Sequence, residues 1–248
     1  MADDYEQWLK DEKAPFEGWD FSYLADRVEH ESPPWDYKAV AKEALKKADT
    51  VLEMATGGGE RFAELAPFPK QTIAIEGQTS NYLIAKKRLE PLGVKVLEMK
   101  ESGILNFQDN YFDLILNRHG GFRSSEIARI LKPGGYFITQ QVAANNWEDL
   151  RKEFNAPTKW PDRLPDVVSK ELQDCGIRIE RLESWEGEII FKDVGALVFM
   201  LKAVPWTVDN FSVEAYRPVL QRLKQRIVEN GKLMFTDRKY LVIAKKLS

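Results

Sequence analysis

The chain has 248 residues and a mass of 28.6 kDa, a size that fits one large domain or two small ones. Its composition, 44% hydrophobic and 30% charged, excludes disorder over most of the length. Apolar runs stay below the roughly 18 residues of a membrane-spanning helix. The first residues, MADDYEQWLKDEK, are acidic where a secretory signal would be basic and then apolar. We therefore expect a soluble, cytoplasmic protein with no membrane partner.

Cysteine and metal chemistry are not indicated by the sequence. The single cysteine, Cys175, cannot form an intramolecular disulfide. The two histidines and one cysteine do not form the clustered pattern of a zinc site, so we expect no metal.

Charge is distributed unevenly along the chain, although the net charge is only −3. Residues 1–34 contain ten acidic and three basic residues, whereas residues 217–248 contain nine basic and two acidic ones. Either these ends lie near one another or are simply solvated, or the basic end binds a partner. Most of the basic residues alternate with apolar ones, which favours the outer face of folded elements and makes a nucleic-acid partner unlikely.

The first half alternates helix and strand signals. A helix is predicted over 39–48, followed by a strand over 50–55, a glycine turn and a short helix over 60–66. The pattern then repeats. The further predicted elements are a strand over 71–76, a helix from Thr79 or Ser80 to Leu89, strands over 94–99 and 112–117, a helix over 123–131 and a strand over 136–142. Strands separated by helices predict a parallel, doubly wound α/β sheet with helices on both faces.

The second half is less regular. Helices are predicted over 167–173, 196–204 and 212–229, and strands over 177–182, 188–191 and 240–244. These strands would bring the sheet to seven strands. The leader, residues 1–35, is too aromatic for a free tail, and we expect it and an insertion at about 185–231 to cap the domain formed by 36–248. The aromatic residues concerned include Trp8, Phe16, Trp19, Phe21, Tyr23, Trp185, Phe191, Phe199, Trp206 and Phe211.

The glycine turn follows an acidic strand end. In Glu53-Met-Ala-Thr-Gly57-Gly58-Gly59, small residues let the backbone approach a ligand closely. A dinucleotide fingerprint would require a third glycine where Phe62 stands. Glu76 ends the next strand, 17 residues after Gly59, where a carboxylate can accept two ribose hydroxyls. Two carboxylates without a phosphate-binding lysine favour a nucleoside with a cationic, phosphate-free tail, such as S-adenosylmethionine.

Four segments carry a resemblance to a known family. VLEMATGGGE resembles motif I of the class I S-adenosylmethionine-dependent methyltransferases, and IAIEG resembles their second acidic motif. ESGILNFQDNYFDLIL and EIARILKPGGYFI are similar to two further motifs in the same order. The resemblance covers about residues 36–142 and implies a Rossmann-like fold and S-adenosylmethionine as cofactor. NRHGGF, TQQV and FKDVGALVFMLKAVPW also resemble bacterial methyltransferase-like proteins without an assigned substrate.

The resemblance implies a set of cofactor-binding residues. Glu53 would hold the methionine end, Glu76 the ribose, and Glu101 and Ser102 the adenine side. The full set is Glu53, Ala55, Thr56, Gly57, Gly59, Glu76, Gly77, Glu101, Ser102 and Asn117. Two positions depart from the family pattern. Ala55 replaces a glycine, which we expect to be tolerated if its φ is negative, and Glu101 stands where the family commonly has aspartate.

Candidate catalytic residues follow the fourth predicted strand, because ligands of such sheets lie beyond the carboxyl ends of the strands. These candidates are Asn117, Arg118 and His119, with Thr139, Gln140 and Gln141 contributed by the fifth strand. His119 could be a general base that titrates near neutrality, or an ordinary loop residue. Arg118 could bind an acidic substrate, although pairing with an acid such as Glu126 is the favoured alternative.

Three functions remain open at this point. We expect a methyltransferase that acts on a small-molecule acceptor, since methyl transfer mainly requires alignment of the acceptor. A non-catalytic module that binds S-adenosylmethionine or S-adenosylhomocysteine is the alternative, and an RNA methyltransferase is less favoured. The sequence does not indicate the acceptor molecule, the acceptor atom or the oligomeric state.

Overall fold

The structure is a computed structural model that describes residues 2–99 and 104–247. The chain forms two compact units. The first unit consists of Met1–Pro33, Ala144–Pro161 and Trp185–Arg238, and the second of Pro34–Ala143, Asp162–Ser184 and Lys239–Ser248. The helices and strands in chain order are α1 (Ala2–Lys13), β1 (Val28–His30), α2 (Tyr37–Leu45), β2 (Thr50–Met54), α3 (Glu60–Ala63), β3 (Gln71–Glu76), α4 (Thr79–Leu89), β4 (Lys95–Glu98), β5 (Phe112–Arg118), α5 (Ser124–Ile130), β6 (Leu131–Val142), α6 (Glu148–Glu153), α7 (Pro165–Asp174), β7 (Ile177–Phe191), α8 (Val194–Ala203), α9 (Arg217–Asn230) and β8 (Leu233–Lys246).

The predicted α/β sheet is confirmed, but it has eight strands rather than seven. The strand order is β1-β7-β8-β6-β5-β2-β3-β4. Strand β2 pairs in parallel with both β3 and β5, and the pairs β3–β4 and β5–β6 are also parallel. The antiparallel pairs include β6–β8 and β1–β7. The additional strand is β1, three residues whose backbone pairs with Phe191, Ile190 and Ile189.

The second unit is built around the parallel strands. Every residue of β2 is buried, as expected for a strand covered on both faces. Helix α2 begins at Asp36, whose carboxylate accepts a hydrogen bond from the Ala39 amide. The core of this unit includes Leu52, Ile75, Phe112, Ile115, Ile127, Phe137, Leu172 and Val242.

The first unit has its own apolar core. Nine of the ten residues of α8 are buried, which explains why its sequence is apolar on all sides. The leader contributes Trp8 and Leu24 to this core, and the late segment contributes Phe199, Phe211 and Leu223. Aromatic residues of the leader and of the late segment thus share one core as packing groups, whereas Trp19, Tyr23 and Trp206 are exposed.

Several element boundaries differ from the predictions. Strand β3 and helix α4 have the predicted bounds. Helix α9 begins at Arg217 rather than at Ser212, because the Ser212 hydroxyl accepts the Ala215 amide within a turn that precedes the helix. Strand β7 is continuous from Ile177 to Phe191. Helices α1 and α6 were not predicted, although Tyr5, Trp8 and Leu9 of α1 have helical spacing and pack in or against the core of the first unit.

The basic residues near the carboxyl end are largely paired. Lys224 lies 3.0 Å from Asp4, and Arg222 and Arg226 both contact Glu153. The contact of Lys224 with Asp4 confirms that parts of the two oppositely charged ends meet, so these side chains do not form an open basic surface.

The part of the chain covered by the structure contains no helix that is both long and apolar enough to cross a membrane. Within residues 2–99 and 104–247, no group of three or more His, Cys, Asp or Glu side chains is arranged to hold a metal ion.

Candidate functional site

Four parallel strands of the second unit bring polar residues to one edge of the sheet. The register places Met54 opposite Asn117, and Asn117 opposite Thr139. Glu53 and Glu76 lie at or next to the carboxyl ends of β2 and β3. This edge is where ligands of doubly wound sheets bind.

The turn after β2 adopts left-handed backbone conformations. Gly57 has φ = +61° and Gly59 has φ = +79°, and a Cβ atom at Gly59 would lie 2.9 Å from the Leu89 side chain. Ala55 has φ = +55°. The condition of a negative φ at Ala55 is therefore not met, and this alanine holds a conformation that costs a non-glycine residue about 1–3 kcal/mol.

The Glu76 carboxylate is held by the backbone. Its Oε2 accepts a 2.7 Å hydrogen bond from the Gly57 amide, and its Oε1 accepts a 2.9 Å bond from the Gln78 amide. Each carboxylate oxygen can accept a second hydrogen bond, so two acceptor positions are left for a ligand. Gly77 follows directly, and a Cβ atom there would lie 3.3 Å from the Met99 carbonyl oxygen.

Glu53 is a buried carboxyl group that lacks a full set of partners. It is 6% exposed, and among residues 2–99 and 104–247 its Oε2 has no hydrogen-bond partner. Burial raises the pKa of Glu53 well above 4.5, and the positive charge of Arg118 opposes this shift. The Thr56 hydroxyl is also buried without a partner in the described chain.

The oxygen and the nitrogen of the Asn117 side-chain amide differ in their hydrogen bonding. Its Oδ1 accepts hydrogen bonds from Gln141 Nε2 at 2.5 Å and from the Thr139 hydroxyl at 3.2 Å. Gln141 also donates to the Gly120 carbonyl at 3.0 Å, which fixes the direction of both amides. Asn117 is fully buried, and its Nδ2 donates to no group in the described segments.

Gly120 closes the wall beside Asn117. A Cβ atom at this position would lie 2.5 Å from the Ala55 Cβ atom and 2.9 Å from Asn117 Nδ2. A side chain at position 120 would therefore collide with the Ala55 methyl group.

His119 belongs to a row of three hydrogen-bonded side chains. Trp35 Nε1 donates to Gln140 Oε1 at 2.8 Å, and Gln140 Nε2 lies 3.0 Å from His119 Nε2. The surrounding protein and the positive charges of Arg118 and Lys239 lower the pKa of His119 well below 6.5, although solvent reaches the side chain. The role of His119 as a general base that titrates near neutrality stays a prediction.

Arg118 does not form the favoured ion pair. The Glu126 carboxylate pairs instead with Arg129 at 2.8 Å and accepts the Leu105 amide. The Arg118 guanidinium, half buried, makes no ion pair or hydrogen bond within the part of the chain that is described, and burial lowers its pKa. Its pairing with Glu126 is thus excluded, and an acidic ligand remains the alternative.

The two adenine-side predictions, Glu101 and Ser102, lie outside the described residues. Three residues of the site were missed by the motif analysis. Gly120 was hidden in NRHGGF, whose second half carries two adjacent glycines. Trp35 was missed because aromatic residues in the leader indicated packing. Tyr37 was missed because no motif includes it, and only the fold brings its buried hydroxyl close to Glu53.

A cavity of about 760 Å³ opens elsewhere on the second unit. It lies at the amino-terminal ends of β2 and β3, with Lys42, Asp49, Phe68 and Lys70 in its wall. Because ligands of such sheets react at the opposite edge, this cavity is not the candidate active site.

Comparisons with known proteins relate this chain to methyltransferases. Residues 52–139 match the family model described as "Methyltransferase domain". The fatty-acid O-methyltransferase of Mycolicibacterium smegmatis is 23% identical over 203 residues, which cover 78% of this chain and 68% of that protein. The UbiE C-methyltransferase of ubiquinone and menaquinone biosynthesis from Pseudoalteromonas translucida is 28% identical over 137 residues, 49% of this chain and 53% of that protein.

The fold agrees as well. A crystal structure of a candidate methyltransferase from Bacillus halodurans superposes with a TM-score of 0.63 at 20% identity, covering 86% of this chain and 99% of that chain. Residues 52–139 of this chain thus resemble a methyltransferase domain, and the fold is one that methyltransferases adopt. The chain spans about half the length of the UbiE relative.

Proposed function

We propose that the edge formed by β2, β3, β5 and β6 binds S-adenosylmethionine and presents its methyl group to a small organic acceptor. The proposed cofactor-binding residues are Glu53, Ala55, Thr56, Gly57, Gly59, Glu76, Gly77 and Asn117, with Glu101 and Ser102 as predicted from sequence. Asn117, Arg118 and His119 face the acceptor side. The acceptor chemistry of the relatives, a fatty acid and quinone precursors, supports an organic acceptor rather than a nucleic acid.

The observation that carries this proposal is the group of buried polar atoms without partners. Glu53 Oε2, Thr56 Oγ1 and Asn117 Nδ2 have no hydrogen-bond partner in the described chain. A buried unsatisfied donor or acceptor costs about 1–3 kcal/mol, so three at one strand edge favour a bound group that completes their hydrogen bonds. The residues present therefore fit a nucleoside with a cationic tail.

Each side chain has a definite task in this arrangement. When bound, the cofactor supplies a methyl group already activated by its positive sulfur. Glu76 accepts hydroxyl hydrogen bonds through its free acceptor positions, and Glu53 offers an oxygen to a cationic group. The left-handed turn at Gly57 and Gly59 keeps side chains away from the ligand. The chain thus contributes mainly alignment and exclusion of water.

Glu76→Ala tests the proposal. The loss of two charge-assisted hydrogen bonds should weaken S-adenosylmethionine binding by about 2–4 kcal/mol in isothermal titration calorimetry. Glu76→Gln keeps one oxygen for the backbone amides and should show a smaller loss. Glu90→Ala, which removes an exposed carboxylate after α4, is the matched control. Unchanged affinity in a folded Glu76→Ala protein would place the ribose elsewhere.

A further inference from the structure

The proton on the His119 ring can be located from its neighbours. The indole Nε1 of Trp35 can only donate a hydrogen bond, so the atom of Gln140 that faces it at 2.8 Å must be the amide oxygen. The Gln140 NH₂ group therefore points towards His119 Nε2, 3.0 Å away, and donates to it. A neutral His119 must carry its proton on Nδ1.

The Nδ1 side of the ring is available to a ligand. Solvent reaches the His119 side chain, and Nδ1 has no hydrogen-bond partner within residues 2–99 and 104–247. The charges that act on the ring, Arg118 from β5 and Lys239 from β8, are both positive. An N–H donor in a positive field favours an anion.

We propose that His119 donates a hydrogen bond from Nδ1 to the acceptor substrate, and that this acceptor is a carboxylate. This inference rests on the proposed function, since it concerns the acceptor side of that site. Arg118, whose guanidinium makes no ion pair in the described segments, supplies the compensating charge.

The proton balance of methylation favours a carboxylate. A carboxylate oxygen that bonds to the methyl carbon becomes a neutral ester, and the electron pair of the broken carbon–sulfur bond stays on sulfur. No proton has to be removed, because a carboxyl group with a pKa near 4 is ionised at neutral pH. A phenol, with a pKa near 10, would require a base.

The site is poor in bases. The lone pair of His119 Nε2 is already occupied by Gln140. Both oxygens of Glu76 accept backbone amides. Glu53 is buried, and this carboxyl group lies on the cofactor side of the proposed site.

The tautomer can be tested without cofactor. The chain has only two histidines, so protein labelled with ¹⁵N-histidine gives two ring systems, which His30→Gln assigns by removing one. We expect His119 to carry its proton on Nδ1 throughout neutral pH. Gln140→Glu replaces the donating NH₂ by an acceptor and keeps an oxygen for Trp35, so the proton should move to Nε2 or the ring should become doubly protonated. A proton on Nε2 in the wild-type protein would overturn the proposal.

Binding of the acceptor is tested with paired probes. Acetate, octanoate and palmitate are titrated in the presence of S-adenosylhomocysteine, each beside the alcohol of the same length. At least one carboxylate should bind about tenfold or more tightly than its alcohol, and His119→Ala should abolish this preference. Asparagine tolerates a left-handed backbone such as φ = +63° at this position and places an amide N–H near the original Nδ1, so His119→Asn should restore the preference.

Equal binding of all carboxylates and alcohols would overturn the proposal, as would failure of His119→Asn in a folded protein. In Arg118→Met, carboxylate binding should fall by a larger factor than S-adenosylmethionine affinity changes, since the charge of Arg118 also acts on Glu53. The reverse result would assign Arg118 to the cofactor and contradict its proposed role. Failure of the cofactor site itself would appear separately, as absent S-adenosylmethionine binding in the wild-type protein.

Discussion

In the first unit, the buried Asp11 carboxylate accepts hydrogen bonds from Tyr23 at 2.7 Å and from Arg27 at 3.0 Å. The same arginine also binds Asp193 at 2.6 Å and 2.9 Å. In the second unit, Glu53 and Asn117 are equally buried but keep atoms without partners among residues 2–99 and 104–247. The comparison shows that buried polar side chains serve two different purposes in this molecule. A cluster that satisfies itself stabilises the fold, whereas one that leaves acceptors and donors unmet is prepared for a ligand.

The largest effect is expected from Arg27→Met. This change leaves Asp11, whose side chain is fully buried, without its cation, and should lower the free energy of unfolding by about 3–5 kcal/mol. Urea denaturation measures it. Arg61→Met removes an arginine that is 74% exposed and should change stability by less than about 0.5 kcal/mol. A similar small change at Arg27 would remove the contrast between the clusters.

Gly120→Ala tests whether the residues around Gly120, among them Ala55 and Asn117, are packed as tightly as a protein core. The added methyl group would lie 2.5 Å from the Ala55 Cβ atom, so we expect a loss of about 1–3 kcal/mol in thermal unfolding. Gly121→Ala is the matched control, because a Cβ atom there meets nothing within 4 Å. Equal melting temperatures for the two variants would show that Ala55 and Asn117 move enough to accommodate the added methyl group.

Glu53→Gln should produce the smallest effect and one of opposite sign. The folded protein holds the Glu53 proton more tightly than the unfolded chain, so stability falls as the pH rises above 4.5 until the folded pKa is passed. Removing this carboxyl should therefore stabilise the cofactor-free protein at neutral pH by about 1 kcal/mol. The gain should vanish as the pH is lowered towards 4.5, and S-adenosylmethionine binding should weaken. A destabilised variant at neutral pH would mean that Glu53 is fully paired.

The sequence predicted the parallel half of the fold well. Strand β3 and helix α4 were predicted to the residue, since a short apolar run and a helix ended by glycine are local signals. Strand β1 was not predicted, because its three residues form a strand only by pairing with β7. Tertiary pairing of this kind leaves little trace in a short segment.

The candidate site was predicted in outline and corrected in detail. Glu53, Glu76 and Asn117 were expected at strand ends from the alternation of elements alone. The positive φ of Ala55 and the occupied Nε2 of His119 depend on neighbours far along the chain, among them Gln140. Such contacts decide protonation and strain, and single-sequence patterns do not contain them.

The contact between Ala55 and Gly120 makes the two positions interdependent. Glycine at 55 would remove the shorter of the two contacts that a methyl group at 120 meets and leave the one with Asn117, so the cost of Gly120→Ala should fall in part in the double variant with Ala55→Gly. Sequences related to this chain are accordingly expected to carry a side chain at one of these two positions and not at both. Covariation of positions 55 and 120 among related sequences would then reflect the short distance between these two residues in the structure.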